Sequence, residues 1–186
     1  MMETIKLHDK EFITFLTSEQ IADRVFELAK QINEEFQIEN HLQRPIFLGV
    51  LDGSFRFLAD LLYVVDIECG MSFLKLSSYD GIETTGQINQ LIGIKENLED
   101  RTIIVVEDIV DTGITIEYVV EELEKYNPKE IKVMTLLFKP DSYTKKIPID
   151  YIGFEIPNDF VVEYGLDYDG LGRNLNDIYK LKENGN

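Results

Sequence analysis

Runs built on a continuous apolar stretch, each followed by a short polar turn and an amphipathic segment, constrain this chain more than any other feature. Residues 46–51 (IFLGVL) lead through Asp52-Gly53-Ser54 into FRFLADLLYVV, and residues 101–110 (RTIIVVEDIV) lead through Asp111-Thr112-Gly113 into TIEYVVEELEKY, with Pro128 as a stop. A strand without polar alternation must be covered on both faces. Strands of this kind alternating with helices predict an α/β fold with a mainly parallel central sheet flanked by helices. Further strands are expected over 67–78, 131–139 and 150–156. A helix is expected over 18–36, where Ile21, Val25, Leu28, Ala29 and Ile32 recur at helical spacing behind Thr17 or Ser18 as cap. After Pro157 the pattern changes to closely spaced Tyr, Gly and Asp, which predicts a small lobe laid over the sheet.

At 186 residues the chain is expected to form one domain. Its formal net charge of −17 argues against nucleic acid, whose binding rests on Lys and Arg neutralising phosphates. An anionic substrate must arrive neutralised by a metal ion or meet a local positive pocket. No apolar run approaches the ~20 residues that span a bilayer, so no membrane partner is expected. The first residues lack a basic segment followed by an apolar one, so secretion is not expected. The single cysteine, Cys69, fits a reducing cytoplasm, and its place in a strand-like run predicts a buried, inert thiol.

Ligands of parallel α/β sheets bind beyond the carboxyl ends of the strands. Four stretches should converge there: Asp52-Gly53-Ser54, the polar loop from Ser77 to Gln90 led by Ser78 and Tyr79, Glu107 to Thr115, and Lys139-Pro140-Asp141. Thr112-Gly113-Ile114-Thr115 lies where a strand turns into a helix, so its backbone N–H groups and hydroxyls form an anion cradle suited to a monophosphate. Glu107 and Asp108 precede it at the end of an apolar run, where desolvated carboxylates need a partner. Vicinal ribose hydroxyls or a divalent metal would serve. The ordinary alternative is that Asp111 or Thr112 caps the helix while the other acids are solvated.

VVEDIVDTGIT closely resembles the phosphoribosyl-pyrophosphate signature of the type I phosphoribosyltransferases. Four further stretches, VLDGSFRF, LSSYDGIETTG, LLFKP and GFEIPNDFVVEYGLDYDGLGRNL, resemble the hypoxanthine (hypoxanthine-guanine) branch of that family. The similarity runs from about Pro45 to Leu175. It implies a type I phosphoribosyltransferase fold with a core over about 44–157 and a small hood from about 158–186 completed by N-terminal residues. It also implies purine salvage: transfer of a 5-phosphoribosyl group from Mg2+-bound phosphoribosyl pyrophosphate to hypoxanthine or guanine, giving IMP or GMP and pyrophosphate. By the same resemblance Asp111 handles the purine N7 proton, and Glu107, Asp108, Thr112, Gly113, Ile114 and Thr115 hold ribose and its phosphate. Asp52, Gly53, Ser54 and Arg173 hold pyrophosphate. Lys139 donates to the purine O6, Phe160 stacks on the ring, and Val161 and Leu166 read its other edge through their backbone. Ser78 and Tyr79 lead a closing loop, and Mg2+ is held by Glu107, Asp108 and Asp167. The family commonly forms homodimers or homotetramers.

Some positions depart from the family pattern. Asp52 and Ile114 stand where basic residues are common, Glu163 where Gly is frequent, and Gly170 and Gly172 where bulkier residues are usual. Losing two cations near phosphate groups places more of the electrostatics on Mg2+ and backbone donors. Two rival readings are a xanthine-preferring transferase and a non-catalytic nucleotide-binding regulator on the same fold. The regulator is disfavoured by Asp111 and the acidic charge. An NAD-dependent oxidoreductase would need G-x-G-x-x-G after an early strand, which the Gly170–Gly172 segment does not provide.

Overall fold

The computed structural model describes residues 4–37, 44–78, 88–92, 94, 96–162 and 164–182. A six-stranded sheet forms its centre, in the order β5-β4-β3-β6-β7-β8, from Ile88–Ile92 (β5), Gly70–Ser78 (β4), Ile46–Leu51 (β3), Thr102–Val110 (β6), Glu130–Phe138 (β7) and Tyr151–Glu155 (β8). All neighbours pair in parallel except β4 with β5. The chain leaves β3 for β4 on one side and returns to β6 on the other. This reversal opens a crevice at the carboxyl ends of β3 and β6.

The apolar runs are buried on both faces, as expected. Phe47, Ile104 and Val106 join one core cluster with Val25, Leu28 and Ile32 of α1 (Ser18–Phe36) and Phe57, Leu58 and Leu61 of α2 (Phe55–Val64). Their strand neighbours Ile46, Leu48, Ile103 and Val105 join a second cluster with Ile116, Val119 and Leu123 of α3 (Ile114–Glu124). Period-two alternation thus divides each run between two helical layers. Thr17, rather than Ser18, caps α1: its hydroxyl accepts from Gln20 N while the Gln20 side chain accepts from Thr17 N.

A second sheet, ordered β1-β2-β10-β9, combines Thr4–Leu7, Lys10–Leu16, Ile178–Leu181 and Val161–Val162. All its pairings are antiparallel, and Phe12, Val162 and Tyr179 form its buried centre. The N-terminal strands, β5, β9 and β10 add to the elements expected from sequence. Ser77 and Ser78 end β4, as the expected strand over 67–78 has it, whereas Ile88 to Gln90 belong to β5 although they were expected in the polar loop.

One expectation fails. Strand β4 begins at Gly70 rather than at residue 67, which leaves Cys69 exposed at the strand entrance instead of buried. Partial desolvation still pushes its thiol pKa up, away from nucleophilic character.

Candidate active site

Strand β6 is apolar and buried from Ile103 to Val106, and the next side chain inward is the carboxylate of Glu107, also buried. Burial raises its pKa well above the ordinary range, and the charge of neighbouring Asp108 adds to the effect. Asp108 is likewise pushed up by burial, to about 6. The Ile109 N–H, donating to Asp108 Oδ1 at 2.9 Å, and the Arg173 guanidinium offset only part of that rise. Two crowded, desolvated acids at a strand end favour a proton, a cation or hydroxyl donors.

Beyond them the chain turns at Asp111-Thr112-Gly113 into α3. Neither Asp111 nor Thr112 caps this helix: the N-cap is Gly113, at φ 83°, with no side-chain cap. A side chain at Gly113 would run into the Tyr143 ring and the Lys145 stem, so only glycine fits both the backbone and the space. The Thr112 carbonyl accepts from Thr144 N at 3.3 Å and Thr144 Oγ1 at 3.2 Å, which pins the loop from outside. Ile114 and Thr115 are exposed.

The turn after β3 faces these acids. Its Leu51–Asp52 peptide is cis. Ser54 Oγ donates to the Val50 carbonyl at 2.7 Å, and both Asp52 oxygens accept from Lys75 Nζ, at 2.8 and 2.7 Å. Any side chain at Gly53 would overlap the Asp108 carboxylate. Leu51, Gly53, Leu76, Glu107, Asp108 and Thr115 line a cavity of about 360 Å³.

The end of β7 supplies Lys139. It is only 8% exposed, and its Nζ donates to Asp111 Oδ2 at 3.0 Å. Phe160 is 44% exposed, with Tyr168 edge-on at 5.8 Å between centroids and Phe12 at 6.2 Å. Val161 and Leu166 are buried beside it. Asp167 pairs with Arg173 Nη2 at 2.6 Å and accepts from Gly170 N at 2.9 Å, while Arg173 Nη1 donates to the Gly165 carbonyl at 2.5 Å.

Three side chains therefore depart from their ordinary roles. Lys139 is not a solvated strand end, Phe160 is not core, and Asp111 is not a helix cap. Ser78 lies at the end of β4, whereas Tyr79 and Glu163 fall outside the described residues. Sequence reasoning passed over Lys75, Tyr143 and Phe12. Lys75 had one local signal, as a lone cation in an apolar strand near its carboxyl end, whereas Tyr143 and Phe12 act only through the fold. Among the described residues no cluster of three metal-ligating side chains occurs. The carboxylates of Glu107, Asp108 and Asp167 still suit Mg2+, which takes one or two protein carboxylates and fills its shell with water and substrate phosphates.

This combination of a mainly parallel sheet, a glycine-hinged loop behind paired acids and a small antiparallel lobe corresponds to a phosphoribosyl transferase domain, whose family model matches residues 14–169. The chain belongs to the phosphoribosyltransferase family. The hypoxanthine-guanine phosphoribosyltransferase of Bacillus subtilis is 38% identical over 94% of this chain and 95% of its own length. A hypoxanthine-guanine phosphoribosyltransferase structure from Bacillus anthracis superposes with a TM-score of 0.83 at 35% identity, covering 94% of this chain and 99% of that one. The bifunctional protein TilS/HprT of Listeria monocytogenes is 35% identical over 95% of this chain, which spans only 27% of that longer relative.

Proposed function

We propose that this protein transfers the 5-phosphoribosyl group of phosphoribosyl pyrophosphate to hypoxanthine, guanine or both, as part of purine salvage. One observation carries the choice of base. The buried Lys139 ammonium meets the Asp111 carboxylate beside the phosphate loop, 3.0 Å apart, with the exposed Phe160 ring on the neighbouring lobe. An ammonium donor next to a carboxylate acceptor matches the O6 and N7–H pair of a 6-oxopurine. Adenine, with an amino group at that position, presents a donor to a donor.

In this reading the N–H groups and hydroxyls of Thr112 to Thr115 hold the 5-phosphate, and Glu107 and Asp108 face the ribose hydroxyls. The Gly53 turn, with Asp52 and Ser54 beside it, and Arg173 take the pyrophosphate. Phe160 stacks on the purine, and backbone groups of Val161 and Leu166 read its far edge. As the bond between the anomeric carbon and pyrophosphate breaks, purine N9 forms the new bond. The N7 proton passes to Asp111 and then to water. Arg173 stabilises the departing anion. Mg2+, when bound by Asp167, Glu107 and Asp108, would neutralise pyrophosphate charge that this acidic chain otherwise repels. A cytoplasmic homodimer or homotetramer completes the proposal, and the lone cysteine supports the location.

The test is an ultraviolet assay with Mg2+ and phosphoribosyl pyrophosphate, offering hypoxanthine, guanine, xanthine and adenine separately. Nucleotide formation from hypoxanthine or guanine, with adenine inert, is expected. Xanthine as the sole good substrate, or no reaction despite binding of phosphoribosyl pyrophosphate, would overturn the proposal.

A further inference from the structure

The turn at Asp52 to Ser54 and the arginine at Arg173 belong to different lobes, yet in the function proposed above both grip one pyrophosphate. Arg56, the second residue of α2, spans them. Its Nη1 donates to the carbonyls of Asn174 and Leu175 at 3.4 and 3.3 Å, and its Nη2 to Asn176 Oδ1 at 2.6 Å. The guanidinium carbon lies 5.0 Å from the centre of the Tyr164 ring, and Nε lies 3.9 Å from Asp60 Oδ2. That same Asp60 oxygen accepts the Tyr164 hydroxyl at 2.7 Å.

Tyr164 leads directly into Gly165, whose N–H donates to the Arg173 carbonyl at 3.2 Å and whose carbonyl accepts the Arg173 side chain. Gly165 is packed so tightly on the Gly53 carbonyl that no side chain would fit between them. Arg56 therefore grips the chain on both sides of Arg173: through Tyr164 before it and through Asn174 to Asn176 after it. Its own backbone continues from the Gly53 turn. A planar guanidinium can meet three acceptors and stack on a ring at once, which a lysine ammonium cannot.

We infer that Arg56 is a positioning residue, setting the spacing between the amides of the Gly53 turn and the Arg173 guanidinium, and so the affinity for the pyrophosphate end of the substrate. The inference rests on the transferase reading and assigns Arg56 no contact with the reacting atoms. A residue that only supports the fold would affect all ligands alike. A spacer between two pyrophosphate-binding groups affects pyrophosphate-bearing ligands selectively.

The experiment is calorimetric titration of Mg2+-pyrophosphate, Mg2+-phosphoribosyl pyrophosphate and IMP into the wild-type protein and the Arg56→Lys and Asn176→Ala variants. Arg56→Lys should weaken both pyrophosphate-bearing ligands about tenfold, the scale expected when binding groups are misplaced by a fraction of an ångström. IMP affinity should change less than about twofold. Asn176→Ala, which removes one contact without disturbing α2, should show a smaller loss with the same selectivity. Equal weakening of all three ligands, or none in either variant, would overturn the role of Arg56. A wild-type protein that binds none of them would instead sink the transferase reading and this inference with it.

Discussion

Replacing Lys139 by Met should separate stability from activity. The Lys139 side chain is 10% exposed, so its ammonium has lost most of its water, whereas the Asp111 carboxylate is 46% exposed and stays hydrated without a partner. Lys139→Met thus removes a desolvated charge, keeps the buried aliphatic volume and strands no buried acid. Exchanging such an ion for an apolar isostere is often neutral or stabilising. With the attraction screened on the Asp111 side, the net change should lie within about 1 kcal/mol of zero. For a chain of this length that shifts Tm by no more than about 4 °C. Catalysis should respond very differently. A charged hydrogen bond to O6 contributes about 1.5–3 kcal/mol, so kcat/KM for hypoxanthine should fall roughly 10- to 150-fold. Scanning calorimetry and steady-state kinetics on the same preparation read both quantities. A Tm drop of 10 °C would show that the ion pair holds the fold, and an unchanged kcat/KM would remove Lys139 from the site.

Asp111→Asn should lower kcat about a hundredfold or more while the Kd for phosphoribosyl pyrophosphate changes less than about threefold; parallel loss of both in kinetics and calorimetry would make Asp111 structural. Gly53→Ala drives a methyl into the Asp108 carboxylate. It should lower stability by about 1–3 kcal/mol in urea unfolding and weaken phosphoribosyl pyrophosphate binding, and an unaffected variant would contradict the tight packing of the turn. Burial raises the Glu35 pKa, but hydrogen bonds from Lys132 and Tyr151 outweigh it and leave the group below its ordinary 4.5. A depressed carboxylate stabilises the fold above the unfolded pKa and loses that contribution as pH falls through the folded one. Glu35→Gln should therefore be less stable than wild type at pH 7, and the gap should close below about pH 4.5 in acid titrations. A gap that persists at pH 3 would locate the effect in packing.

The central sheet was legible because its evidence is local. Phe47 and Leu48, or Val105 and Val106, are adjacent apolar residues facing opposite layers, and no half-exposed strand writes that pattern. The strand-to-helix turn from Glu107 through Thr115 was legible for the same reason, since its acids, Thr and Gly fall within nine consecutive positions. The N-terminal hairpin was not. In β2 only Phe12 is fully buried, and its aromatic neighbours Phe160 and Tyr168 lie some 150 residues away, so alternation within the strand carries almost no signal. Cys69 was misplaced because an apolar run does not mark the residue at which pairing starts. Arg56 lay beyond sequence reasoning for another reason, and Lys75 showed no more than its lone charge in an apolar strand. Their partners, Asp52 and the carbonyls of Asn174 and Leu175, are set by which strands and lobes become neighbours.

Strand β10 makes the two halves of the site unequal in when they can exist. The turn from Asp111 to Gly113 is complete once β6, α3 and the segment through Thr144 have folded. The aromatic platform is not: the Phe160 carbonyl is held by the N–H of Leu181, Tyr179 pairs with both Thr14 and Val162, and Asp177 Oδ1 caps Ser18 N at 2.7 Å. The contacts of Tyr179 with Thr14 and of Asp177 with Ser18 close loops of some 160 residues, the slowest kind to form. On the ribosome, a chain that has emerged as far as residue 150 already contains β6, α3 and the turn between them, while Phe160 and the strands that hold it are still to come.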